Sequence, residues 1–188
     1  MNTECIILAG GSSSRIGRNK LLLDIGGKTV IERCIGAFYD VCSKIIVVTG
    51  RYHVEIKGSL GSYNKIRIIY NKNYSQGMFS SVKTGIKEVE ATRFFIMPGD
   101  YPLLQNDTIQ QMLAVNKNFI APVYQGKQGH PILLHKLYIP IILSSKEASL
   151  RDCLEKTRMN KHLVQVQDAG VVSDMDTSEA YDEILKRY

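Results

Sequence analysis

Short runs that are apolar on successive residues, such as Ile45-Ile46-Val47-Val48 and Phe94-Phe95-Ile96-Met97, alternate along the chain with longer stretches whose apolar residues recur at helical spacing. A strand with both faces covered by helices reads in this continuous way. The pattern predicts strands at 5–9, 44–49, 66–70, 94–97, 119–124, 131–134 and 163–167, and helices at 30–39, 54–60, 79–89, 108–116, 149–156 and 178–187. Within 79–89, Val82, Ile86 and Val89 share one face while Lys83, Lys87 and Glu88 take the other, so that helix lies on the sheet. Strands alternating with helices give an α/β fold, Rossmann-like and three-layered α/β/α, with a mostly parallel sheet of about seven strands. Ligands of such sheets gather beyond the carboxyl ends of the strands. The loops after the first and fourth strands and a late segment, 172–177, should therefore meet at one edge.

The 188 residues suit one domain, 1–188, with no repeat or biased linker to divide it. An apolar share of 44% and a charged share of 22% are ordinary for a folded soluble protein. The formal charge of +6 comes from cations spread among acids, without the dense basic run or the aromatic platform of a nucleic-acid binder. An anionic small substrate accounts for the surplus equally well. The start of the chain has no cationic lead and the run 137–143 is short and broken by Pro140, so neither a signal nor a membrane span is expected. Cys5, Cys34, Cys42 and Cys153 show no C-x-x-C pairing. They read as reduced thiols, and the expected compartment is the cytoplasm.

Three segments carry candidate chemistry. The first strand runs into Gly10-Gly11-Ser12-Ser13-Ser14-Arg15-Ile16-Gly17-Arg18-Asn19-Lys20, where glycines let backbone N–H groups turn toward an anion and Arg15 and Lys20 add fixed positive charge. It lacks G-x-G-x-x-G spacing, and the P-loop imitation at Gly26-Gly27-Lys28-Thr29 fails because its first glycine would fall at Leu22. Asp100 follows an apolar strand in a turn stiffened by Pro98 and Pro102, the placement that suits a Mg²⁺ ligand. Asp174 and Asp176, two residues apart, offer a second carboxylate; Asp174 is read as the ligand and Asp176 as the cap of the last helix. The segment 73–82 opens a helix with Gly77, Ser80 and Ser81 as donors for an anion or a base, and His130 is read as a substrate contact.

Leu8-Ala9-Gly10-Gly11-Ser12-Ser13-Ser14-Arg15-Ile16-Gly17-Arg18-Asn19-Lys20 resembles the signature loop L-A-[AG]-G-x-S-x-R-M-G-x-x-K of nucleotidyltransferases with a glycosyltransferase-A-like fold. Gly77-Met78-Phe79-Ser80-Ser81, Asp100-Tyr101-Pro102-Leu103-Leu104, Gly129-His130-Pro131 and Asp174-Met175-Asp176-Thr177 follow in family order. Together they make the chain similar to the molybdenum cofactor cytidylyltransferases. The resemblance implies a nucleotide-diphospho-sugar-transferase-like fold and nucleotide binding at Leu8, Ala9, Gly10, Gly11, Ser12, Arg15, Lys20, Gly77 and Ser81. It makes Arg15, Lys20 and Asp100 the catalytic set, Asp100 and Asp174 the ligands of Mg²⁺ or Mn²⁺, and CTP and molybdopterin the substrates, with a molybdenum hydroxylase apoenzyme as receiver. Gly10, where cytidylyl members more often have Ala, favours GTP; the Arg18-Asn19-Lys20 spacing and Gly-His-Pro favour CTP. Transfer to a sugar or polyol phosphate and a non-catalytic pterin chaperone are the other readings.

Overall fold

The computed structural model describes residues 2–11, 19–157 and 159–186. Its strands are β1 (Thr3–Ala9), β2 (Asp24–Ile25), β3 (Lys28–Thr29), β4 (Lys44–Thr49), β5 (Ile66–Tyr70), β6 (Arg93–Pro98), β7 (Phe119–Tyr124), β8 (Lys127–Gln128), β9 (Ile132–His135) and β10 (His162–Gln165). Its helices are α1 (Val30–Tyr39), α2 (His53–Leu60), α3 (Met78–Ile86), α4 (Asn106–Ala114), α5 (Tyr138–Ser144), α6 (Leu150–Lys156) and α7 (Ser178–Leu185). The main sheet runs β10-β7-β9-β6-β1-β4-β5, with β8 paired to β7. Its β6-β1-β4-β5 half is parallel, and β9 is inserted antiparallel between β6 and β7. The predicted α/β sandwich is the observed one.

Every residue of β1 is buried, and alternate side chains feed two separate cores. Cys5, Ile7 and Ala9 pack with Ile31, Phe38, Phe95, Ile109 and Ile184, the layer of α1, α4 and α7. Ile6 and Leu8 pack with Phe79, Val82, Ile142 and Leu154, the layer of α3, α5 and α6. The period-two alternation of a strand divides one apolar run between two layers. The four cysteines are buried free thiols, and burial pushes the Cys42 thiol up to about 12.

Two local outcomes differ from the sequence pattern. The run at 137–143 forms α5 because Pro140 falls in the first helical turn, where its missing N–H has no intrahelical acceptor to serve. The glycines of the failed P-loop match form a hairpin turn between β2 and β3, with φ of 57° at Gly26 and 81° at Gly27. Thr29 then caps α1 in a reciprocal box with Glu32. Among the described residues no helix is long and apolar enough to cross a membrane.

Candidate active site

The carboxyl edge of the sheet assembles the site. β1 ends at Ala9 and β6 at Pro98, and the Gly99 N–H donates to Leu8 O (3.0 Å), so Asp100 leaves the sheet beside the start of the basic loop. The Met175 N–H donates to Asp100 O (2.9 Å), which draws the late acidic segment to the same place. Lys20 opens a short 3₁₀ turn, Lys20–Leu22, capped by Asn19. Its ammonium donates to Asp100 Oδ2 (2.6 Å) and to Asp176 Oδ1 (2.7 Å). Groups 80 and 156 residues apart in sequence thus share one charge cluster.

The electrostatics follow from this crowding. Burial by itself would pull the Lys20 ammonium down, but Asp100 and Asp176 outweigh it and hold the group above its ordinary value. Burial, then the charges of Asp176 and Asp100, push the Asp174 carboxyl up. Burial and the same three carboxylates push the Tyr101 phenol up. Lys20 therefore stays charged, opposite a set of acids whose mutual repulsion calls for additional positive charge.

The residues fit a divalent cation held jointly with phosphate. Asp100 Oδ1 is buried with no hydrogen-bond partner, while its other oxygen is engaged. Among the described residues no three His, Cys, Asp or Glu side chains form a self-contained metal cage. One or two carboxylates completed by phosphate oxygens and water is the usual magnesium arrangement. The expectation that Asp176 caps the last helix is corrected: Thr177 is the cap, its hydroxyl accepting from the Ala180 N–H (3.2 Å), because the Asp176 carboxylate is drawn to Lys20.

The second predicted segment lies against the glycine turn. A Cβ at Gly10 would stand 2.8 Å from Ser81 Oγ, and one at Gly50 would stand 2.7 Å from Gly10 O and from Tyr74 Cβ. Gly77 stands at the N-cap of α3, where no side chain caps the first turn. Its leading amides suit an anion. Sequence reasoning missed Asn71, which organises this half. Asn71 is 2% exposed; its amide donates to Ser80 Oγ (2.9 Å) and Ser81 Oγ (3.0 Å) and accepts from the Asn73 N–H (2.9 Å). A polar residue directly after the strand 66–70 is a signal of the same kind as Asp100, which follows the end of β6 by two residues.

His130 packs its ring edge-on against Tyr101, with centroids 5.4 Å apart, and its backbone N–H donates to Val171 O (2.8 Å). Burial pulls its imidazole down, the nearby Arg151 charge adds to this, and Asp100 opposes it. The structure thus gathers Leu8, Ala9, Gly10, Lys20, Gly77, Ser81, Asp100, His130 and Asp174 along one edge. Ser12 and Arg15 lie outside the described residues.

Residues 5–165 match the MobA-like NTP transferase domain. The Escherichia coli (strain K12) protein named molybdenum cofactor cytidylyltransferase is 31% identical over 98% of this chain and 96% of its own. A Bacillus cytotoxicus protein named probable molybdenum cofactor guanylyltransferase is 29% identical over 96% of this chain and 94% of its own. The solved structure of a nucleotidyl transferase from Methanothermobacter thermautotroptrophicus has a TM-score of 0.85 at 18% identity, covering 100% of this chain and 99% of that one.

Proposed function

The chain belongs to the MobA-like NTP transferase family, and from that premise we propose that this nucleotidyltransferase moves CMP from CTP to the terminal phosphate of the molybdenum-bearing pterin cofactor, releasing pyrophosphate. The observation that carries the reading is the Lys20 ammonium placed between Asp100 and Asp176 where β1, β6 and the late acidic segment converge. The name of the 31% identical relative supports the choice of acceptor and nucleotide.

In the reaction an oxygen of the acceptor phosphate forms a bond to the α-phosphorus of CTP. The bond from that phosphorus to the β-phosphate bridging oxygen breaks, and pyrophosphate leaves with the electron pair. The attacking oxygen is already ionised near neutral pH, so no strong base is needed. Lys20, with Arg15, binds and orients the triphosphate and stabilises charge on the leaving group. The backbone of Gly10 and Gly11 and the donors at Gly77 and Ser81 hold the rest of the nucleotide. Asp100, with Asp174 or Asp176, would hold Mg²⁺ or Mn²⁺, which when bound offsets charge on the phosphates. The loaded pterin then passes to a molybdenum hydroxylase apoenzyme.

Gly10-Gly11 and the guanylyltransferase name of the 29% identical relative favour a second reading, GTP in place of CTP. One assay separates the two. The purified protein is given CTP, GTP or ATP with the metal-loaded pterin, and the product is identified by mass. CMP joined to the pterin is expected. GMP in its place moves the assignment to GTP, and no metal-dependent pyrophosphate release with any of the three refutes the proposal.

A further inference from the structure

Asp174 and Asp176 reach the site on residues 166–176, a strap that leaves the sheet beyond β10. The Val166 N–H donates to Val123 O (3.0 Å), and from there a short 3₁₀ turn, Ala169–Val172, carries the chain to Met175, whose N–H meets Asp100 O (2.9 Å). The strap touches both flanks of the site. Val171 O accepts the His130 N–H (2.8 Å) at the wall of a cavity of about 640 Å³ on the β6-β9-β7 side, and the Asp176 carboxylate takes a hydrogen bond from Lys20 (2.7 Å). A segment outside the sheet has no ladder to fix its path, so its position depends on anchors to other elements.

Asp168 supplies such an anchor. It is 4% exposed, and its Oδ2 accepts from the Gln105 N–H (2.9 Å) and the Thr108 hydroxyl (2.9 Å) at the start of α4. Its Oδ1 accepts from the Gly170 N–H (2.8 Å), so two bonds cross to the helix and one sets the turn that follows on the strap. Gln105, at the N-cap of α4, makes no side-chain cap. The Asp168 carboxylate does from outside the helix what an acid at the third position does in a capping box, and it meets the positive end of the helix dipole. The contact is close: a Cβ at Gly170 would stand 2.3 Å from Leu103 O and 2.8 Å from Asp168 Oδ1. One buried group thus joins the strap to the loop, 100–105, that leads from Asp100 into α4. An ionised carboxylate, which only accepts, can serve all three donors, whereas Asn would turn its NH₂ toward at least one of them.

We propose that Asp168 is a positioning residue: by clamping the strap to the start of α4 it sets where Asp174 and Asp176 stand relative to Asp100 and Lys20, and so how firmly the site holds the metal with the nucleotide. The assignment rests on the proposed function, which it deepens. Asp168 acts through the strap and touches neither nucleotide nor acceptor.

The test reads Mn²⁺ binding in the presence of CTP and without acceptor, from the electron paramagnetic resonance of the free ion, on the full chain below its melting temperature. Asp168→Asn is compared with wild type, with Gly170→Ala, which forces the strap from Leu103 without altering the carboxylate, and with Arg93→Met. Arg93 is 6% exposed and donates to Met112 O (3.4 Å), Leu113 O (3.2 Å) and Val115 O (2.9 Å) at the far end of α4, so its loss loosens the same helix away from the strap. Removing a group that orients metal ligands typically costs about 10–100-fold in metal affinity. Asp168→Asn and Gly170→Ala should weaken Mn²⁺ binding by that factor and raise equally the Mg²⁺ needed for half-maximal pyrophosphate release. Arg93→Met should melt lower than wild type yet bind Mn²⁺ within about twofold of it. Wild-type Mn²⁺ affinity in Asp168→Asn overturns the assignment, and so does an equal loss in Arg93→Met, which would leave Asp168 a purely stabilising group. Should Asp168→Asn fail to fold, Gly170→Ala decides on the same readings. If wild type joins CMP to the pterin while Asp168→Asn binds Mn²⁺ normally, the proposed function stands and the positioning role falls. If wild type binds no Mn²⁺ with CTP and releases no pyrophosphate, both fall.

Discussion

Replacing Asn71 by Ala tests whether the nucleotide half of the site is held by one buried amide. The substitution removes three side-chain hydrogen bonds, two given to Ser80 Oγ and Ser81 Oγ and one accepted from the Asn73 N–H. It leaves the Asn71 backbone N–H on Thr49 O (2.9 Å). At about 1 kcal/mol net for each bond the loss is about 3 kcal/mol. Because Asn71 and Ser81 are 2% and 3% exposed, water cannot readily replace the lost partners. For a chain of this length a loss of that size lowers Tm by roughly 6–12 °C. The loop 71–77 and the start of α3 then lose their fixed relation to Gly10, so KM for the nucleotide should rise more than kcat falls. Asn71→Asp keeps the acceptor for Asn73 but turns a charged acceptor toward the Ser80 hydroxyl, which already donates to backbone carbonyls, so in this buried site it should melt no higher than the Ala variant near neutral pH. Thermal melts and steady-state pyrophosphate release read the two effects. A Tm within about 2 °C of wild type together with an unchanged nucleotide KM would refute the reasoning.

Asp100→Ala should lower kcat/KM by roughly 10²-fold or more, about 2.7 kcal/mol of transition-state stabilisation, and full pyrophosphate release at saturating Mg²⁺ would remove Asp100 from the metal. Gly129→Ala should cost about 1–3 kcal/mol of stability, because the new Cβ would stand 2.1 Å from Val171 O, a backbone atom that also receives the His130 N–H; an unshifted melting temperature would sink it. Burial and the Asp176 and Asp100 charges raise the folded-state pKa of Asp174. Its favourable contribution is then complete below the ordinary carboxylate pKa of about 4 and is lost as pH rises through the raised value, so the ionised group opposes folding at neutral pH. Asp174→Asn should melt higher than wild type near pH 7, with the difference closing as the pH falls toward about 4, and an equal or lower melting point at pH 7 would contradict the cause assigned.

The strands at 44–49 and 119–124 and the helix at 30–39 are legible to the residue, since a doubly covered strand writes itself as a nearly unbroken apolar run and Thr29 with Glu32 spells a helix start; 66–70 is legible from its β-branched residues although it lies at the sheet edge with no residue fully buried. α5 is harder to see because a proline reads as a breaker unless its place in the first turn is known. Asn71 escapes notice because an asparagine after a strand looks like any turn residue until its burial is known.

Local composition thus suffices for the layered sheet, for a glycine-rich cationic sequence after β1 and for an acid after β6, because each depends on neighbours a few residues away. Which of the two late acids meets Lys20, how tightly Gly10 lies on Ser81, and that a cavity opens on the β6-β9-β7 side are decided by contacts between distant segments. Asp174 and Asp176 have the same side chain two positions apart, and only the docking of residue 175 onto Asp100 sets which carboxylate reaches the ammonium. Packing chooses between chemically equal groups, and that choice has no local signature in the chain.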